Sequence, residues 1–241
     1  MDYQDALAEV GAGVAHPGGW RSTERWMQAI PWTPGLRVLD VGCGTGRSLV
    51  TLAQRYGVEI TGIDVRKKMI QHARRRAARA GVRAQWRVGS AEHLPFPNEH
   101  FDVVITESVN VFVDARRALA EYWRVLKPDG YYVDVEMFIR MPVDEAWRQA
   151  AAQVYGVRMV PDQAGWRRLY REAGFTAVEV LESRAVRPEE MMTGDGADEW
   201  MGSPTAYQNP RVLAVLQANA QWMDLYHKSL GYAVFLCRKP A

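Results

Sequence analysis

Residues 38–46 read VLDVGCGTG. The run Val38-Leu39-Asp40-Val41 has the β-branched, apolar character of a buried strand and is followed by a turn with glycines at 42, 44 and 46. RSLVTLAQRYG (47–57) then has helical spacing and stops on Gly57. Strand, glycine turn and helix in this order let backbone pass close to a ligand, with the first N–H groups of the helix free to meet it. A dinucleotide-binding turn places its third glycine three residues after the second. Arg47 stands there, and the glycines run Gly42-x-Gly44-x-Gly46 instead.

Beyond this unit the chain alternates. VEITGID (58–64), RAQWRVG (83–89), FDVVITES (101–108) and YYVDVEMF (131–138) read as strands. RKKMIQHARRRAARAG (66–81) reads as a helix with Met69, Ala73, Ala77 and Ala80 inward and Gly81 as its stop, and DARRALAEYWRVL (114–126) as another. This alternation predicts an α/β fold with a doubly wound, mostly parallel sheet covered on both faces. PVDEAWRQAAAQVYG and DQAGWRRLYREAGF add helices, TAVEVLES (176–183) a sixth strand and YAVFLCR (232–238) a seventh. Two short helices are expected ahead of the first strand, the second placing Trp26, Met27 and Ile30 on one face.

Between the last two strands lies a helical insertion, 187–230, far longer than a hairpin loop. It carries Met191, Met192, Trp200, Met201, Tyr207, Trp222, Met223 and Tyr226. Its second half opens on Asn209 as a cap with Pro210 at the first helical position, and Gly231 reads as the helix stop. Such a layer serves as core packing, as a homodimer contact, or as a lid over a pocket for an apolar or aromatic acceptor.

Composition excludes several classes of protein. A formal net charge of +2 weighs against a chain that coats nucleic acid. Eight basic residues and no acid fall between Arg66 and Arg83, and a solvated helix face accounts for them. Two cysteines, Cys43 and Cys237, make neither a disulfide framework nor a metal cluster and fit a reducing compartment. No bound metal is expected. MDYQDALAEV has acids where a secretion signal needs positive charge, and no window reaches the length of a membrane span, so a cytoplasmic location is expected.

Four segments in order, over roughly residues 35–140, resemble the class I S-adenosylmethionine-dependent methyltransferases, in particular the small-molecule group that includes ubiquinone/menaquinone-type enzymes. They are VLDVGCGTG, GIDVRKKMI, VGSAEHLPFPNEHFDVVITES and RALAEYWRVLKPDGYYV. The resemblance implies a seven-stranded Rossmann-like domain over 35–241, preceded by an N-terminal helical flap, 1–34, and S-adenosylmethionine as methyl donor. It assigns Gly42, Gly44 and Gly46 to the cofactor turn, Asp40 to the methionine end, and Asp64, followed by Val65, to the ribose hydroxyls. In GSAE the family's usual adenine-binding aspartate is replaced by Ser90, which leaves Ser90, Ala91 and Glu92 to share the adenine. Thr106 and Glu107 are further residues of the expected cofactor site. Cys43 fills a tight turn.

Methyl transfer is largely alignment with water excluded, helped by a general base where the acceptor has a proton to lose. Glu107, Glu136 and Asn110 are the polar residues placed at strand ends, the glutamates as candidate bases and Asn110 as a substrate contact. Their alternatives are backbone capping or a bond to the cofactor's amino group. His93 and His100 read as exposed loop residues. The segment GAGVAHPGGW (11–20) is expected to cross the carboxyl edge of the sheet. Its glycines suit a hinged flap, with His16 facing the acceptor as base or orienting group and Trp20 covering an apolar face. The leading function is methylation of a small-molecule acceptor. RNA or protein methylation, and a cofactor-binding regulator without catalysis, are the competitors; no N-P-P-Y-type segment follows the fourth strand, where ESVN stands.

Overall fold

The computed structural model describes residues 1–190, 201 and 204–241. The first strand, β1 (Arg37–Val41), lies inside the sheet with Val38, Leu39 and Val41 almost fully buried. It pairs in parallel with β2 (Glu59–Asp64) on one side and β4 (Phe101–Glu107) on the other. β3 (Ala84–Val88) extends the first side, and β5 (Leu126–Ile139) the second. β6 (Ala177–Ala185) and β7 (Leu230–Arg238) complete a seven-stranded sheet among the described residues, in the order β3-β2-β1-β4-β5-β7-β6. β7 runs antiparallel to both of its neighbours, so the sheet is mostly parallel with one reversed strand. Strand order reverses between β1 and β4, and the crevice at their carboxyl ends is where sheets of this kind hold ligands.

Helices cover both faces. They are α1 (Tyr3–Val10), α2 (Gly19–Met27), α3 (Arg47–Tyr56), α4 (Lys67–Arg79), α5 (Ala115–Val125), α6 (Glu145–Ala150), α7 (Gln163–Glu172) and α8 (Pro210–Tyr226). α1 starts at a capping box: the Asp2 side chain accepts the Asp5 N–H while Asp5 accepts that of Asp2. Asn209 caps α8, but that helix ends at Tyr226, and Gly231 lies inside β7 rather than at a helix stop. A glycine is required there for a different reason, since a Cβ would come within 2.5 Å of the Phe138 ring. Met201, Trp222 and Met223 of the insertion are buried, and Trp222 stacks on Tyr155, which stacks on Tyr3 of α1. Met191, Met192 and Trp200 lie outside the described residues.

The basic helix α4 is not a uniformly solvated face. Ala80 is only half-buried, whereas Arg76 is buried and its Nε donates to the carbonyl of Thr45 at 3.1 Å, tying the helix to the glycine turn. Arg66 pairs with Asp2 and Asp5, and Lys68 with Glu9, so acids of α1 answer the cations of α4.

A fully buried polar cluster joins β4, β5 and α7. Asp134 accepts hydrogen bonds from Thr106 Oγ1 (2.8 Å), Asn110 Nδ2 (2.6 Å) and Tyr170 OH (2.8 Å). Glu136 accepts the backbone N–H of Asn110. Together they fix a 3-10 turn at Asn110–Phe112 beside the end of β4. Burial pushes the Asp134 carboxyl up to about 6 despite these donors, and burial, then the Asp134 charge, raises Glu136 well above the usual carboxylate range. An acid whose folded value lies above its unfolded value favours the fold when protonated, so its contribution is lost as pH rises from about 4 through about 6. Urea titrations of the wild type and Asp134→Asn across this range are expected to diverge, the wild type losing up to about 3 kcal/mol relative to the variant. Parallel stability curves would show that Asp134 does not titrate there.

Candidate active site

A cavity of about 330 Å³ opens at the carboxyl ends of β1, β2 and β4. Its floor is the glycine turn. Gly42 has φ +73, and a Cβ there would lie 2.5 Å from Val109 Cγ2. Gly46 has φ +74, and a Cβ would strike the Trp86 ring at 2.5 Å. Gly44, at φ +50, has no protein atom within 4 Å of the same position and lines the cavity. Close packing thus demands glycine at 42 and 46, while at 44 it leaves an open cradle. The Gly44 N–H donates to Asp64 Oδ2 at 3.0 Å and the Arg66 N–H to Oδ1 at 2.8 Å, which fixes the carboxylate at the end of β2.

Acidic groups converge here. Asp40, Asp64, Glu92 and Glu107 all line the cavity. Asp40 is pushed well above the usual carboxylate range by burial, then by the nearby charges of Glu107 and Asp64. Burial also raises Asp64, against the two backbone donors that lower it. Burial raises the Cys43 thiol, which fits a space-filling residue rather than a nucleophile. Arg47, Arg66 and Arg158 line the same space. An acid-rich pocket with cations at its wall suits a ligand that carries both positive centres and a carboxylate, and S-adenosylmethionine has that charge pattern.

Glu107 is the hub of the site. Its Oε1 accepts from Thr23 Oγ1 (2.6 Å) and Trp26 Nε1 (3.0 Å), and its Oε2 from Ser48 Oγ (2.6 Å). His16 lines the cavity with Nε2 3.7 Å from Glu107 Oε1 and 3.3 Å from Thr23 Oγ1, and Nδ1 3.3 Å from Ser22 Oγ. The N-terminal segment therefore does cross the carboxyl edge, and residues 12–16 form one wall. Gly18, at φ +80, is packed against the Tyr232 ring, where a Cβ would lie at 2.6 Å.

Of the residues expected from sequence, Asp40, Gly42, Gly44, Asp64, Val65, Ser90, Ala91, Glu92, Glu107 and His16 share this cavity. Five others do not line it. Gly46 shapes the turn from behind, and Trp20 is buried on α2 beneath the Arg47 guanidinium, 4.2 Å from its ring centroid. Thr106, Asn110 and Glu136 belong to the buried cluster around Asp134. Glu136 was expected at a strand end, but β5 continues to Ile139, which places it within the sheet. Ser48, Thr23, Phe112 and Arg158 are site residues that sequence reading missed. Ser48 alone left a signal, a polar residue in the first turn of the helix that follows the glycines.

Residues 38–130 match the model of a family described as a methyltransferase domain. An uncharacterized methyltransferase of Bacillus subtilis (strain 168), YodH, is 30% identical over 98% of this chain and 99% of its own length. The ubiquinone/menaquinone biosynthesis C-methyltransferase UbiE of Ralstonia pickettii (strain 12J) is 31% identical over 63% of this chain and 72% of its own. Among solved structures, the phosphoethanolamine N-methyltransferase 2 of Haemonchus contortus, in complex with phosphomonomethylethanolamine and S-adenosylhomocysteine, superposes with a TM-score of 0.74. At 21% identity, covering 99% of this chain and 56% of that one, it shows a shared fold. The glycine turn, the fixed acid at the end of β2 and a full-length relative converge: this chain belongs to the class I S-adenosylmethionine-dependent methyltransferases and is an enzyme that uses S-adenosylmethionine.

Proposed function

We propose that the enzyme methylates a small-molecule acceptor, with His16 as its proton-accepting or orienting group and Glu107 as the residue that holds the His16 ring. The observation that carries this reading is the presence of His16, 3.7 Å from Glu107, in the same cavity as the glycine turn and Asp64. S-adenosylmethionine, when bound, supplies an electrophilic methyl group. Asp64 holds the ribose hydroxyls, Asp40 and the glycine turn the methionine end, and Ser90, Ala91 and Glu92 the adenine. His16 orients the acceptor, or takes its proton after the ring turns from its contacts with Thr23 and Ser22, and the adjacent Glu107 carboxylate compensates positive charge on the ring. Leu7, Val14, Phe112 and Val113 wall the cavity with apolar surface and limit water.

Two observations favour a small acceptor over a macromolecule. Residues 4–16 cover the cavity from one side, and the basic helix spends part of its charge on Asp2, Asp5 and Glu9. Relatives point the same way: an O-methyltransferase of Aspergillus sclerotiorum, resE, is 32% identical over 77% of this chain.

Incubation with S-adenosylmethionine and a metabolite extract is expected to release S-adenosylhomocysteine, and treating the extract with nuclease and protease is expected to leave that release intact. Loss of the signal after either treatment would point to a macromolecular acceptor. His16→Ala is expected to lower turnover roughly 10²-fold with little change in cofactor affinity or melting temperature; unaltered turnover would make the segment a turn only. Asp64→Ala is expected to weaken cofactor binding by about 1–3 kcal/mol, read by calorimetry, and an unchanged affinity would remove Asp64 from the site.

A further inference from the structure

Beside the cofactor cavity lies a second, open recess of about 740 Å³. Its walls are the chain leaving β5, with Arg140 and Met141, Arg148 of α6, and the loop before α7, with Arg158, Met159 and Asp162. Three arginines and one aspartate thus line the recess. That carboxylate is already committed, since Asp162 Oδ1 accepts the Gly165 N–H at 2.6 Å as the cap of α7. Among the described residues, the ion pairs of this recess include only that of Arg158 with Glu92, at 3.2 Å; Arg140 and Arg148 enter none. Met141 and Met159 are 49% and 37% exposed, so the recess also presents apolar surface to solvent.

Arg158 connects the recess to the site. It lines both spaces, and its backbone N–H donates to the carbonyl of Val111 at 2.7 Å, in the 3-10 turn that also carries Phe112. The balance of charge differs between the two spaces: four acids and three arginines line the cavity, three arginines and one acid the recess. In the recess Asp162 is engaged as a helix cap, which leaves the arginines to meet an anion. Guanidinium forks match the paired oxygens of a phosphate or carboxylate. We propose that the recess holds an anionic group of the acceptor, so that the substrate is an anionic small molecule whose reacting end enters at His16 and whose apolar portion lies over Met141 and Met159. This deepens the small-molecule reading and rests on it.

The test uses inorganic pyrophosphate as probe, titrated calorimetrically into protein saturated with S-adenosylhomocysteine so that the cofactor cavity is filled. Saturable binding is expected. Arg140→Ala with Arg148→Ala is expected to weaken it roughly tenfold or more, while Arg168→Ala with Arg171→Ala, on the exposed face of α7, leaves it unchanged. The metabolite extract is then divided on an anion exchanger. The acceptor that yields S-adenosylhomocysteine is expected in the retained fraction, with its KM raised in the Arg140/Arg148 variant. No saturable binding, equal losses in the two double variants, or acceptor activity confined to the unretained fraction would overturn the proposal, the last of these leaving the small-molecule reading intact. If no fraction yields S-adenosylhomocysteine, that reading fails by itself, and the pyrophosphate titration still decides the recess.

Discussion

The Glu107 carboxylate is the contact on which the site's arrangement depends. It ends a central strand, lies almost out of solvent, and gathers donors from two helices that are distant in sequence. A charge-bearing group in that position is stable only when its oxygens are satisfied. Thr23, Trp26 and Ser48 do this, and hydrogen bonds of this kind are worth about 1.5–3 kcal/mol each when an ionised partner is involved. α2 and α3 are thereby drawn onto the end of β4. The position of His16 follows, since its ring packs among Ser22, Thr23 and Glu107.

The other end of the N-terminal segment is held differently. α1 meets α4 through ion pairs of Asp2 and Asp5 with Arg66, and of Glu9 with Lys68, all partly exposed. Pairs of that kind contribute about 0–1 kcal/mol each and weaken with salt. More comes from burial: Tyr3, Leu7 and Val10 are almost fully covered, and Tyr3 stacks on Tyr155, itself stacked on Trp222 of α8. The helical insertion before the last strand thus backs the N-terminal helix. The electrostatic pairing has a second effect, because it leaves α4 with less free positive charge than its sequence advertises.

How far sequence carried the structure depends on whether a feature is local. The glycine turn, the acid after β2 and the strand–helix alternation are written in consecutive residues, and each could be read directly. Glu136 could not. Strand composition does not show where a polar side chain near the strand's end points, and Glu136 turns into a buried network with Asp134 and the Asn110 N–H. Gly231 misleads for the converse reason: a glycine after a helical pattern reads as a stop, yet here it makes room for Phe138 across the sheet. Arg76 and Arg66 look like members of one basic run, but one supports the Thr45 carbonyl and the other joins α1 to the cavity wall. In each case the deciding partner is far away in sequence.

The segment GAGVAHPGGW shows what the additions to the common fold achieve. Its glycines read as a hinge, but Gly18 is needed because the Tyr232 ring occupies the space of a side chain, and Gly18 also opens α2 in a left-handed conformation. Tyr232 lies on the reversed strand β7, in register between Met137 of β5 and Arg184 of β6, and its hydroxyl donates to Glu182. The parts of the chain that lie outside the parallel β1–β5 core therefore meet behind His16 as well as at α1 and α8. The glycine turn and Asp64 belong to that core and line the cavity floor. The wall facing them is built from the N-terminal segment and braced by β7 through the contact of Gly18 with Tyr232, so residues outside the parallel core complete the cavity.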